Sequence, residues 1–170
     1  MATDLKLEVK VAVKATERET GIAVGSVASQ LIHLLEVDAS YGNGTGASQS
    51  DVVYSGSASI STATTLDLRG SLSSVLTGDS ANFVELTGLV LKNNSVTAGD
   101  YVDVGGGSNP VTTLWAASGD AMRVGPSGVM LWTSPIDGAA TTAGTADILT
   151  LTPATGRTIS VDYLIVGRSA

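Results

Sequence analysis

Residues able to do acid–base or nucleophilic chemistry are scarce in this chain. Its 170 residues include one histidine, His33, and no cysteine. His33 lies in the apolar run Leu31–Leu35, where an imidazole could act as a general base or a ligand. Catalytic triads and metal sites need several cooperating groups, and no partner motif accompanies this histidine. We therefore predict a structural role for His33, and we expect no catalytic, cofactor-binding or metal-binding residues.

Among the 16 acidic residues, the aspartates from Asp38 to Asp162 stand mostly beside predicted turns or on outer strand faces. The polar, glycine-rich stretch Asp38–Asp51 lacks the D-x-[DN]-x-[DN]-G spacing and the final glutamate of a calcium loop. A carboxylate pair of the glycosidase type only has to be close in space, so spacing leaves a small hydrolase or carbohydrate-binding module open as an alternative.

Two glycine-rich segments and one serine have the composition of known motifs but not their context. Gly42–Gly46 and Gly105–Gly107 have no following Lys-Ser/Thr and no βαβ pattern, so they fail the tests for phosphate and dinucleotide loops. Ser127 lies in Gly125–Gly128, one residue short of the G-x-S-x-G elbow, and no helical pattern follows it. We predict that all three are turns, and that the chain is not an enzyme.

Composition limits the class of protein and its partners. The chain is 43% hydrophobic but only 4% aromatic, so Val, Leu, Ile and Ala must build the core of one domain. A net charge of −7 disfavours both nucleic acids and anionic membranes. No apolar run approaches the roughly 18 residues of a membrane span. The N-terminus has no apolar h-region, so we expect no signal peptide.

Alternation of apolar and polar residues predicts a half-buried strand over Leu5–Lys14, with Leu5, Leu7, Val9 and Val11 on one face. Residues 15–30 read mostly as loop, Tyr41–Ser50 as a flexible surface loop, and Ser71–Thr77 as at most one helical turn. The other predicted strands are Gln30–Val37, Val52–Ile60, Thr64–Leu68, Asn82–Asn93, Asp100–Val104, Val111–Ala116, Met122–Val124, Gly128–Thr133, Asp147–Thr152 and Thr158–Val166.

Short strands separated by regular turns are typical of an all-β sandwich or barrel. We predict an all-β fold: an antiparallel, jelly-roll-like β-sandwich over residues 51–170, with residues 1–50 as a strand and loop extension for attachment or oligomerisation. The second face of the last strand becomes apolar near its end, which predicts that this end is covered.

One strand raises the question of a partner surface. Alternation in Val129–Trp132 places Met130 and Trp132 on one face and Val129 and Leu131 on the other. Tryptophan is enriched at interfaces and also fills cores, so Trp132 and Met130 are interface candidates for which a core role stays open. Leu5, Leu7, Val9 and Val11 are the other interface candidates.

Several blocks of residues 50–170 resemble small structural proteins of tailed bacteriophages. They are Leu66–Leu72, Leu89–Asn94, Thr97–Gly105, Val124–Leu131, Thr142–Leu149 and Val161–Ser169. The chain departs from that pattern at Ser73–Gly78, and its first fifty residues resemble the family less.

The resemblance implies a virion protein, assembled in the host bacterial cytoplasm. It favours a capsid decoration (cement) protein that forms a homotrimer on the outer surface of the head, with the major capsid protein as its partner and no cofactor. A tail, collar or baseplate component of the same particle is the alternative within this class.

Overall fold

A computed structural model describes residues 7–18, 30–70, 72–73 and 80–170; for most residues of the first two strands it describes only the backbone. Within these ranges the chain forms strands and no helix. The strands are β1 Leu7–Arg18, β2 Gln30–Asn43, β3 Gln49–Ser50, β4 Val52–Ile60, β5 Thr64–Asp67, β6 Glu85–Asn93, β7 Val102–Gly105, β8 Ala121–Val124, β9 Val129–Thr133, β10 Ala139–Ala140, β11 Ile148–Pro153 and β12 Ile159–Arg168.

Two antiparallel sheets form the body of the protein. The main sheet has the order β10-β6-β12-β4, with β9 also paired to β6, and the second sheet has the order β5-β11-β7-β8. Strand β12 is central in the main sheet because it pairs with β4 over nine positions and with β6 on its other side. A third sheet, β1-β2-β3, is built from the N-terminal segment.

The core lies between the inner faces of the main and second sheets. Leu89, Leu91 and Ile165 of the main sheet are fully buried, as are Leu149 and Leu151 of the second sheet, all in one apolar cluster. Facing sheets that interdigitate aliphatic side chains in this way form a β-sandwich. The predicted all-β sandwich is therefore confirmed.

The strands predicted over residues 51–170 are present, most of them with ends shifted by a few residues, except for one. Strand β4 has the bounds predicted for it, but the strand predicted over Val111–Ala116 is wrong. The backbone N–H groups of Leu114 and Trp115 both donate to the Val111 carbonyl, at 3.0 and 3.2 Å. Val111 is buried in the core, and the chain curls back over it, so the segment forms turns.

The N-terminal segment contains more strand than its sequence suggests. Strand β1 continues to Arg18, beyond the predicted end at Lys14, and β2 continues to Asn43. Most of the predicted loop 15–30, the segment 19–29, lies outside the described residues, as does most of the helical turn predicted over Ser71–Thr77.

The surface loop predicted over Tyr41–Ser50 is wrong at both of its ends. Tyr41 and Ser50 are buried, and only Gly44–Ser48 connects β2 to β3. The N–H of Gly42 donates to the Ser48 carbonyl at 3.0 Å, which draws β3 alongside β2 in parallel. The reason is tertiary, since both buried residues reach the main sheet.

The outer face of β12 changes along its length as predicted. Ser160 is exposed, Leu164 is partly buried and Val166 is buried. The buried end of this face is therefore the end of the strand that lies next to the N-terminal segment.

Candidate functional site

Most of the described carboxylates that have a hydrogen-bond or ion-pair partner bind groups in turns or in neighbouring strands. Asp51 accepts the N–H of Ser169 at 2.8 Å, and Asp100 accepts the Ser95 hydroxyl at 2.7 Å. Asp103 forms a two-point pair with Arg123. These acids tie strand ends together, and within the described residues no group of three or more His, Cys, Asp or Glu is placed to hold a metal ion.

Asp162 lies on the outer face of the main sheet, and its hydrogen bonds shift the pKa of its carboxyl group. Ser57 donates to it at 2.6 Å and Asn94 at 2.8 Å. These two hydrogen bonds hold the pKa of the Asp162 carboxyl below its usual value. Asp162 lies at the edge of an apolar area described below.

Two of the motif-like segments are turns in the structure. The N–H of Gly128 donates to the Gly125 carbonyl at 2.9 Å, and Ser127 between them has a φ of 57°. Gly105–Gly107 all have positive φ, and a Cβ on Gly107 would lie 2.6 Å from the Thr150 hydroxyl oxygen. The Gly105–Gly107 segment therefore needs its glycines for backbone geometry.

The N-terminal ribbon, defined as β1 and β2, is the amphipathic element of the chain. Its strands are antiparallel over twelve partner pairs, Leu7↔Tyr41 to Arg18↔Gln30. Partners in such a pair share a face of the sheet. The end of the ribbon at which Leu7 pairs with Tyr41 is here called its root. Near the root one face carries only apolar residue types, in the pairs Leu7/Tyr41, Val9/Ala39, Val11/Val37 and Val13/Leu35.

The opposite face of the ribbon is polar near the root, and Leu34 and Ile32 lie on it farther along. Side chains of Glu8, Lys10, Ala12, Glu36 and Ser40 are exposed there, and Lys10 pairs with Glu8 at 3.5 Å. His33 lies opposite Ala15 farther along, on the apolar face. Of the interface candidates, Leu7, Val9 and Val11 share that apolar face, and Leu5 lies outside the described residues.

The long edges of the ribbon have few backbone partners. Among the described strands, β1 pairs only with β2, and β2 pairs with β3 only at Gly42 and Asn43. Edge strands with unpaired N–H and C=O groups are templates for pairing with another chain. A two-stranded ribbon by itself is only marginally stable in water and needs a further layer.

The root of the ribbon is fixed to the main sheet through Thr87. Tyr41 is 2% exposed and donates its hydroxyl to the Thr87 carbonyl at 3.4 Å. The hydroxyls of Ser50 and Thr87 are 2.7 Å apart, and the N–H of Ser48 donates to the Pro135 carbonyl at 2.8 Å. Burial raises the pKa of the Tyr41 phenol.

Arg168 joins the root to the rest of the sandwich. Its side chain is almost fully buried and forms an ion pair with Glu85. The guanidinium also donates to the carbonyls of Gln49 and Ile136, both at 3.2 Å, and to that of Pro135. One arginine thus connects β3, the start of β6 and the turn after β9, as the forked donor geometry of guanidinium allows.

The outer face of the main sheet carries an exposed apolar area, here called the outer patch. In register across three strands, Leu131 of β9 lies beside Val90 of β6, which lies beside Leu164 of β12. Val129 occupies the next row, with Lys92 and Asp162. Val129 is 60% exposed and Leu131 is 39% exposed.

The exposed face of β9 is the one opposite to the interface candidates Met130 and Trp132. Met130 is 4% exposed within the core, and Trp132 is partly buried against the same core. These two residues face the core, and the other side of the strand is exposed. The candidate surface residues of β9 are therefore Val129 and Leu131, which the alternation had placed together without showing which face is open.

The contacts at the ribbon root carry no signal in the sequence. Ser50 and Thr87 are 37 residues apart, and Arg168 and Gln49 are 119 residues apart. Ser, Thr and Arg are common surface residues, so only the pairing of strands shows that these three are buried together.

Comparison with known proteins identifies no relative: no family model, curated protein or solved structure matches the chain. Among the described residues no helix is long and apolar enough to cross a membrane.

Proposed function

We propose that this protein is a structural component of a tailed-bacteriophage particle, a capsid decoration protein that binds the outer surface of the head. The amphipathic N-terminal ribbon carries the proposal. It is a long element with one apolar face, and its root is fixed to a compact sandwich by buried contacts. Extended strands can bind another protein by adding to the edge of its sheet.

Decoration would stabilise the shell by mass action. A protein that binds the assembled shell but not its separated subunits adds its binding free energy to the assembled state alone. The major capsid protein is the proposed partner, and assembly takes place in the host bacterial cytoplasm. A net charge of −7 fits a surface that has no nucleic-acid backbone to contact.

A homotrimer would suit this role. Head-to-tail contacts between copies close into a ring when the rotation allows it, and a ring can touch several capsid subunits at once. Simultaneous engagement of several weak sites raises the overall affinity without any new kind of contact. In this scheme the edge of β1 that has no strand partner among the described residues would add to a strand of the shell.

Protein composition of the particle, with heads and tails separated, tests the proposal. A decoration protein should be found in heads, at a copy number that scales with the number of capsid subunits. A low copy number confined to tails would contradict it and support a tail, collar or baseplate role.

A second measurement asks whether the protein stabilises shells. Undecorated heads titrated with the purified protein should release their contents at a higher temperature, with an effect that saturates as the sites fill. Heads treated with the same protein carrying Val11→Glu should show a weaker effect, and heads treated with Ala12→Glu, on the exposed face of the same strand, should match the wild type.

A further inference from the structure

We propose that the apolar face of the N-terminal ribbon docks on the outer patch of a second copy of this chain, so that copies assemble by exchanging ribbons. The proposal deepens the proposed function. It rests on that function in one respect only, namely that this chain acts by contact with other proteins. It assigns both surfaces: the apolar ribbon face through Val11 and Val37, and the patch around Leu131.

Near its root the ribbon needs a covering layer on one face only. Its polar face is exposed at the described positions, including Lys10, Ala12 and Glu36, and the pairs on the other face are apolar from Leu7/Tyr41 to Val13/Leu35. Tyr41 belongs to that apolar face and is buried at the root, which shows that the face begins against the main sheet. The apolar series continues to Val13/Leu35, after which the same face carries His33 and Glu17.

The receiving surface is open and apolar at its centre. Val129 and Leu131 are the exposed residues of β9, and Val90 and Leu164 continue the row across β6 and β12. Lys92 and Asp162 lie beside them in the next row. An apolar centre with a charged rim is the usual anatomy of a protein interface.

Interface area favours docking of each ribbon on the main sheet of another copy over stacking of two ribbons on each other. Tyr41 of the first pair is already buried at the root, so the pairs left to dock run from Val9/Ala39 to Ala15/His33. These positions, at about 3.4 Å each, give a face about 24 Å long, and two strands give a width of about 10 Å, or about 240 Å² in all. A specific interface buries at least about 1,000 Å² in total, and two ribbons stacked on each other would supply about half of this.

Exchange doubles the area without any additional surface. Each copy gives one ribbon face and receives another on its main sheet, which brings the buried area to about 480 Å² per copy and about 1,000 Å² for a pair of copies. On β12 the open part of the outer face runs from Ser160 to Leu164, because Val166 is buried. The receiving face is therefore about 17 Å long and, over β9, β6 and β12, about 14 Å wide, which matches one docking ribbon face. Two copies can close the exchange around a twofold axis and three can close it as a ring.

The first test is the mass of the isolated protein in solution as a function of concentration, by sedimentation equilibrium. The wild type should be a dimer or trimer. Leu131→Glu and Val11→Glu should each raise the dissociation constant about 30-fold or more, the size typical of a central interface residue. A wild type that stays at the mass of one chain at all concentrations would overturn the proposal.

Each variant has a matched control. Ala12→Glu places the same charge on the exposed face of the same strand. Val96→Glu replaces an 86% exposed valine in the segment between β6 and β7, outside the patch. Both should keep the wild-type mass. Dissociation by Val11→Glu but not by Leu131→Glu would show that the ribbon docks elsewhere, and would overturn the assignment of the patch.

The absence of cysteine allows the contact to be mapped directly. Val11→Cys and Leu131→Cys chains of different tag size, mixed and treated with a short bismaleimide, should form a product containing one of each. Val96→Cys in place of Leu131→Cys should not. A doubly substituted chain that crosslinks only within itself would show the ribbon folded on its own sheet, and would refute exchange.

This result is separable from the fate of the proposed function. Exchange is measured on the isolated protein without any shell. An oligomer that dissociates as predicted but is absent from heads would remove the decoration role and leave exchange in place, whereas a monomer found on heads in high copy number would do the reverse.

Discussion

Replacing Arg168 with methionine should cost this fold about 3 kcal/mol of unfolding free energy. The guanidinium pairs with Glu85 and donates to the carbonyls of Gln49, Pro135 and Ile136. Methionine keeps much of the volume but leaves these acceptors without their donor. Breaking a buried ion pair on one side costs roughly 3–5 kcal/mol, and the lower end applies because the Glu85 side chain is 22% exposed and regains some water.

A loss of this size is large against the total stability of a domain, roughly 5–15 kcal/mol. Urea unfolding followed by tryptophan fluorescence would measure it. With a slope of about 2 kcal/mol per molar urea, the midpoint should fall by about 1.5 M. The change should also loosen the ribbon root, since Gln49 belongs to β3.

Arg123→Met is the matched control for this experiment. Arg123 makes an equally well-formed pair with Asp103, at 2.8 and 2.9 Å, but its side chain is 59% exposed. Exposed pairs contribute little, so its midpoint should stay near the wild type. A double variant, Arg168→Met with Glu85→Gln, should recover part of the loss because the uncompensated charge is gone. The reasoning is refuted if Arg168→Met shifts the midpoint no further than Arg123→Met.

Two further predictions concern the main sheet. Burial raises the pKa of Tyr163 to about 12, with a further contribution from a hydrogen bond with Tyr54, whereas an unfolded tyrosine titrates near 10. The unfolded chain loses this proton first, so urea midpoints should fall as the pH rises from 10 to 12, and less so in Tyr163→Phe; equal slopes would contradict this. Gly167→Ala should lower the unfolding free energy by roughly 1–3 kcal/mol, because the new Cβ would meet the Glu85 carbonyl and lie 2.7 Å from Phe83. Gly125→Ala, which meets no atom within 4 Å, should melt at the wild-type temperature, and equal melting of the two variants would show that β12 shifts to make room.

Much of the sandwich follows from local pattern. Strand β4 and the turn at Gly125–Gly128 match their predictions because period-two alternation and turn residues act over a few neighbours. Val111–Ala116 fails because its one buried anchor, Val111, is fixed by the core rather than by its neighbours in sequence.

The candidate surfaces divide in the same way. Alternation placed Leu7, Val9 and Val11 on one face, and the register of β1 with β2 carries that face across to Val37 and Ala39. It also separated Val129 and Leu131 from Met130 and Trp132. It could not show which pair is open, since both are apolar and the difference depends on where the second sheet lies.

The sequence by itself determined that this is an all-β protein with one amphipathic segment at its start, because strand periodicity and turn chemistry are local properties. Only the tertiary structure decided that Ser50, Thr87 and Arg168 are buried together and that Val129 and Leu131 remain exposed. Those outcomes depend on contacts between residues far apart in the chain, and burial is set by which faces of the sheets meet rather than by the type of any one residue.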